Sequence, residues 1–152
     1  MIVFLLRHAE RLPDPADDLA PDGVERAKLL ARMLAESGIH IALCSNKIRT
    51  HRTIEPLQKL PGAKVKRVDV AIDPDHIPDY VQKIVAKVKA LPEDAIAIIV
   101  SHDAAIRPIV EGLTGRMVDD VTGKQFDKLF VLSIPKTGAG NVSLIRYGKA
   151  TP

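Results

Sequence analysis

The stretch Ile2-Val3-Phe4-Leu5-Leu6-Arg7-His8-Ala9-Glu10 decides how the rest of the chain is read. Its first five residues are apolar without a polar residue between them. A strand with one face in water would alternate, so this run fits a strand buried on both faces. The run then passes, without a turn residue, into a cation, an imidazole and a carboxylate. Strands buried on both faces belong to sheets covered by helices, and in such sheets ligands bind beyond the carboxyl ends of the strands. The three polar groups therefore mark a place to look for chemistry.

Working outward, apolar runs alternate with helical patterns. Pro21–Ser37 predicts a helix, with Pro21 in its first turn, Gly38 as its stop and Val24, Ala27, Leu30, Ala31 and Leu34 on its apolar face. Ile39–Cys44 predicts a second strand. Asn46–Leu60 predicts a second helix, ended by Pro61 and Gly62. Val65–Val70 follows as a strand, then Ile77–Leu91 as a helix. Ala95–Val100 is the strongest buried-strand signal, and Ala104–Leu113 is a helix halted at Thr114 and Gly115. Leu129–Ile134 and Val142–Tyr147 close the chain as a hairpin around Thr137-Gly138-Ala139-Gly140-Asn141. The expectation is an α/β three-layer sandwich. A mostly parallel central sheet of about six strands would carry helices on both faces, within one domain spanning residues 1–152.

Composition narrows the partners. Of the 152 residues, 46% are apolar and 27% charged, and the net charge is +3. The basic residues are dispersed and not interleaved with aromatics, which argues against nucleic acid and suits an anionic ligand. Cys44 is the sole cysteine, so no intrachain disulfide forms, as suits a reducing, cytoplasmic setting. The apolar opening is too short for a signal peptide or a membrane span, so no membrane partner is expected.

Polar residues cluster after three of the expected strands: Arg7-His8, then Ser45 to Arg49, then Ser101-His102-Asp103. Two histidines and two arginines at strand ends suit phosphoryl transfer without a metal. A neutral imidazole is a nucleophile toward phosphorus near pH 7. Guanidiniums match phosphate oxygens in a fork and keep their charge. A second histidine, protonated beside the dianion, donates to a third oxygen, and a carboxylic acid supplies the proton that a leaving alkoxide needs. His40, His51 and His76 lack metal-ligand spacing, so no metal or other cofactor is expected. Cys44 stands one residue too close to Arg49 for the Cys-x5-Arg loop of tyrosine phosphatases, and Cys44–Thr50 contains no glycine; it reads as a buried strand residue.

At these positions the sequence resembles the histidine phosphatase superfamily, which includes the phosphoglycerate mutases. The family's Arg-His-Gly stands here as Arg7-His8-Ala9, and its Leu-Thr-Pro-x-Gly-x-x-Gln-Ala as Leu19-Ala20-Pro21-Asp22-Gly23-Val24-Glu25-Arg26-Ala27. Its Ser-x-x-x-Arg-Ala/Thr-x-x-Thr runs from Ser45 through Arg49 to Thr53, and its strand-Ser-His is Ile98 to His102. The resemblance implies His8 as the phosphorylated nucleophile, with Arg7, Arg49 and His102 binding phosphate. The run from Arg7 to Pro13 and the pair His102-Asp103 also resemble the acid phosphatase and phytase branch. That likeness implies Arg11 as a further phosphate ligand and Asp103 as the proton donor; Asp17, Asp18 and Glu10 are other candidate acids, because their loop also lies just past the first strand. The mutases' Trp-Asn is missing, so a compact phosphatase is expected. Its substrate would be a phosphorylated small molecule or a phosphoprotein. The alternative is a non-catalytic phospho-ligand-binding module on the same fold.

Overall fold

The computed structural model describes residues 1–152. The elements run β1 (Ile2–Arg7), α1 (Pro21–Leu34), β2 (Ile41–Ser45), α2 (Ile48–Gln58), β3 (Lys66–Val70), α3 (Ile77–Lys89), β4 (Ile96–Ser101), α4 (Asp103–Thr114), β5 (Lys128–Ser133) and β6 (Asn141–Arg146). Each element predicted from the sequence is present, with its ends moved by a few residues. α4 stops where expected, at Gly115, whose φ of 72° gives the left-handed turn that glycine adopts without strain.

The six strands form one sheet in the order β3-β2-β4-β1-β5-β6. β1, β2, β3 and β4 pair in parallel, whereas β5 lies antiparallel to β1 and β6 antiparallel to β5. The sheet is thus mixed, not mostly parallel as the sequence pattern suggested. The reason lies in residues 115–127, which form neither helix nor strand. A parallel strand needs a crossover that returns the chain to the sheet's starting end. Here α4 has already made that return, and residues 115–127 travel back again. β5 therefore begins level with the end of β1, where Leu129 pairs with Leu6. The tight turn before Asn141 then fixes β6 as its hairpin partner.

Side chains of the central strands divide by alternation between two cores. Val3, Leu5, Ala97 and Ile99 pack with Tyr80 and Ile84 of α3 and Ile106 and Ile109 of α4. Leu6, Ile98 and Val100 pack with Leu30 and Leu34 of α1 and Ile54 and Leu57 of α2. Fully burying an aliphatic side chain of this size contributes about 1.5–3 kcal/mol, so the two clusters hold the strands rigid up to their carboxyl ends.

One glycine sets how closely α1 approaches the end of β1. A Cβ built on Gly23 would lie 2.1 Å from the Glu10 carbonyl oxygen. No real pair of atoms tolerates that distance, and the neighbour is backbone. Gly23→Ala should therefore destabilise the protein by roughly 1–3 kcal/mol, as overpacked sites do. A urea midpoint unchanged from wild type would show that the helix can move away.

Candidate active site

The end of β1 places the first groups. Its parallel ladder with β4 runs to Arg7 opposite Ser101, and the His8 amide continues it by donating to the Ser101 carbonyl at 2.9 Å. His8 and His102, the next residues of the two strands, consequently lie side by side with ring centroids 5.3 Å apart. β2 lies on the other side of β4, so its last residue, Ser45, reaches His102: Ser45 Oγ is 2.7 Å from His102 Nε2.

Hydrogen bonding assigns the tautomer of each ring. His8 Nδ1 lies 2.7 Å from the carbonyl oxygen of Ala9. A carbonyl only accepts, so Nδ1 carries the hydrogen and Nε2 carries the lone pair. Arg49 Nη2 donates to His102 Nδ1 at 3.4 Å, which places the hydrogen of that ring on Nε2, donated to Ser45. His8 is 2% exposed and His102 8%. Burial pushes both imidazoles down to about 3, with the charges of Arg7 and Arg49 pushing the same way. The His102 ring is therefore neutral in the free protein, where the sequence suggested a protonated ring beside a bound dianion.

The two arginines come from different sides. Arg7 donates from Nη1 to the carbonyls of Thr122 and Gln125, each at 3.3 Å, and its guanidinium lies 4.0 Å over the Phe126 ring. Arg49, in the first turn of α2, is gripped by Asp17, whose carboxylate takes Nη1 at 2.9 Å and the Ile48 and Arg49 amides at 2.8 and 3.1 Å. Asp17 thus caps α2 from a distant loop, since Lys47 gives that helix no side-chain cap. Both Arg7 Nε and Arg49 Nε are buried with no hydrogen-bond partner, two of only three such side-chain atoms in the protein. Buried donors are nearly always satisfied. Two unmet N–H groups on cations flanking the histidines fit an oxyanion.

The other predicted residues divide. Asp103, at the start of α4, accepts from the Ala104 amide at 2.9 Å and acts electrostatically on Arg7, so it belongs to the cluster. Asp17 is held down to about 2 by the α2 amides and Arg49, against the opposing effect of burial. Asp18 pairs with Arg52 at 3.2 Å. Glu10 turns away, held by Nε and Nη2 of Arg26 at 2.7–3.0 Å. Arg11 spends its Nε and Nη2 on Leu12, Asp14 and Ala16 of its own loop. Cys44 is fully buried, and its thiol is pushed up to about 12 by that burial.

Sequence reasoning assigned no role to several residues that build the site. Thr53 accepts from the Ala9 amide at 2.9 Å and donates to the Arg49 carbonyl at 2.8 Å, tying the segment after His8 to α2. Ser45 and Thr53 stood inside a quoted motif, so a signal for them existed. Phe126 and the carbonyls of Thr122 and Gln125 had none. Ala9 is fully buried, and no residue other than glycine has a positive φ, so alanine fits where the family carries glycine.

Comparison with known proteins agrees with this fold. The model of the histidine phosphatase superfamily (branch 1) matches residues 3–75. No curated protein sequence matches the chain. Among solved structures, the protein histidine phosphatase SixA complexed with tungstate superposes with a TM-score of 0.72 at 22% identity, over 96% of this chain and 97% of that one. The mycobacterial glucosyl-3-phosphoglycerate phosphatase complexed with VO3 gives 0.68 at 16% identity, over 97% and 99%. The alpha-ribazole phosphatase from Shigella flexneri gives 0.67 at 16%, over 97% and 96%. Residues 3–75 are thus similar to the histidine phosphatase superfamily, and the whole chain shares the fold of these solved phosphatases. At these identities the solved structures speak for the fold and leave the substrate open.

The depressed histidines carry a pH signature. Unfolded, each binds a proton near pH 6.5; folded, each does so only near pH 3. Across that window the unfolded chain holds more protons, so stability falls as the pH drops from 6.5 toward 3. A bound dianion raises both rings, and His102 is the one with a nitrogen facing Arg49. Sulfate, a dianion throughout, should therefore bind more tightly as the pH falls from 8 to 5.5, by up to about tenfold per unit for one proton taken up. Calorimetry in buffers of different ionisation heat measures that uptake, and His102→Asn should flatten the dependence.

Proposed function

We propose that this protein is a phosphatase that works without a metal ion, through a phosphohistidine on His8 Nε2. The observation that carries the reading is the state of His8: neutral, its lone pair placed on Nε2 by the Ala9 carbonyl, between two arginines with unmet buried donors. Nε2 attacks phosphorus, and the bond to the leaving group breaks with its electron pair going to that group. Arg7, Arg49 and a His102 ring protonated on substrate binding hold the three equatorial oxygens, supplying the fixed donors that dominate phosphoryl transfer. The phosphorylated ring is cationic, and the Ala9 carbonyl on Nδ1–H stabilises it. Water then attacks phosphorus, the P–N bond breaks, and its pair returns to Nε2.

Proton traffic favours a particular leaving group. Glu10, Asp17 and Asp18 are bound to Arg26, Arg49 and Arg52. Asp103 is then the group that protonates the leaving atom and later accepts a proton from water. An alkoxide demands a full proton as it leaves, whereas the imidazole of a phosphohistidine leaves far more readily. The site accordingly suits phosphohistidine on a partner protein, or an aryl phosphate, better than an alkyl phosphate.

The test compares a phosphohistidine peptide, p-nitrophenyl phosphate and an alkyl phosphate, each in excess chelator. Wild type should hydrolyse the first two and form an acid-labile phosphoenzyme that His8→Ala abolishes. Arg7→Ala and Arg49→Ala should each lower kcat/KM by about 10²-fold or more. Asp103→Asn should slow the alkyl ester more than the phosphohistidine. Sulfate binding without turnover of any substrate would instead identify a phospho-ligand-binding module.

A further inference from the structure

Asp127 is a buried carboxylate, 4% exposed, that none of the steps above uses. It immediately precedes β5, at the end of the loop that seats Arg7. Its Oδ1 accepts the Thr151 hydroxyl at 2.6 Å and Arg146 Nη1 at 3.0 Å, and its backbone carbonyl accepts the Tyr147 amide at 3.0 Å. The Thr151 oxygen works in both directions, because it also accepts the Phe126 amide at 3.0 Å. Gln125 extends the junction: its Nε2 donates to the Pro152 carbonyl at 3.3 Å, while its Oε1 accepts the Thr122 amide at 3.1 Å. Residues 147–152 are thereby bonded to the loop at Gln125, Phe126 and Asp127.

That loop makes every side-chain hydrogen bond that Arg7 has. Its Thr122 and Gln125 carbonyls take Nη1, and its Phe126 ring lies under the guanidinium, 6.1 Å from the His8 ring. The same segment also reaches the other side of the nucleophile. Arg26, 4% exposed, donates to the Tyr147 and Lys149 carbonyls at 2.6 and 2.7 Å while holding Glu10, two residues past His8. Residues 147–152 have no ladder or helix of their own, so their order comes from these contacts.

We infer that residues 147–152 form a strap that positions Arg7, with Thr151 and Asp127 as the positioning pair acting through the Thr122–Phe126 loop. This rests on the proposed phosphatase reading, in which Arg7 holds phosphate. The Thr151 hydroxyl is the joint: without it, the half-buried Phe126 amide and the Asp127 carboxylate both lose a partner. The loop carbonyls and the Phe126 ring then no longer fix the guanidinium in one orientation. None of these residues touches the reacting atoms.

Thr151→Val keeps the shape and removes the hydroxyl. It should weaken sulfate binding and raise KM for p-nitrophenyl phosphate by about fivefold, the worth of roughly one hydrogen bond. Thr151→Ser should restore both. In an Arg7→Ala background the same change should leave sulfate affinity unmoved, because the loop has no guanidinium left to position. Should Thr151→Val fail to fold, Gln125→Ala, which cuts two ties of the same loop, should give the same pattern. A lowered melting temperature with unchanged sulfate affinity and KM would overturn the inference by making the strap merely structural. An equal loss in the Arg7→Ala background would overturn it too. Wild type that neither binds sulfate nor turns over substrate would instead remove the functional reading, and the inference with it.

Discussion

The parallel pairing of β1 with β4, carried to the last residue of each, is the constraint on which the site depends. Because Arg7 stands opposite Ser101, the next residues of the two strands are neighbours without further help, and both are histidine. A slip of one residue would send the side chains of β1 to opposite faces and break both cores together. The two clusters that alternate along β1 and β4 therefore fix the imidazoles relative to each other more firmly than any contact between the rings.

From that pairing the electrostatics follow. Two imidazoles packed at strand ends, nearly out of water and facing two guanidiniums, are held neutral by burial and by charge together. Neutrality gives His8 a usable lone pair. The carbonyl on Nδ1 then decides which nitrogen presents it. The arrangement works against stability in acid, since the folded state refuses protons that the unfolded chain accepts. Functional sites commonly hold groups away from their ordinary protonation behaviour in this way.

The sequence made part of this legible. Apolar runs gave the strands, and the rule about carboxyl ends gave the place where Arg7, His8, Arg49, His102 and Asp103 would be found. Register made that possible, because each of these residues ends a strand, directly follows one or lies in the first turn of the helix after it. The direction of β5 was not legible. Nothing in residues 115–127 says how far an irregular segment travels, and that travel decides both the mixed sheet and the placing of Phe126 beside Arg7. Asp17 was read as a candidate acid, yet it caps α2 from a loop 31 residues away from Ile48, a contact that spacing alone does not disclose. Arg11, read as a further phosphate ligand, has its Nε and Nη2 engaged by Asp14 and the Leu12 and Ala16 carbonyls of its own loop, partners that only the fold of that loop brings into reach.

The two arginines are kept aimed without being neutralised locally. Arg49 has a carboxylate in direct contact, Asp17, which is shared with two helix amides and so spends much of its charge on α2. Arg7 has only carbonyls and an aromatic face in contact, with Asp103 acting through space. With the imidazoles neutral, these two cations and two carboxylates roughly balance. An incoming dianion therefore meets strong local donors in a cluster of little net charge. Charge balance is then improved by taking up a proton, and a neutral His102 beside Arg49 is the group able to do so. The neutrality that burial imposes on the histidines is thus the same property that would let the cluster take up a proton together with a dianion.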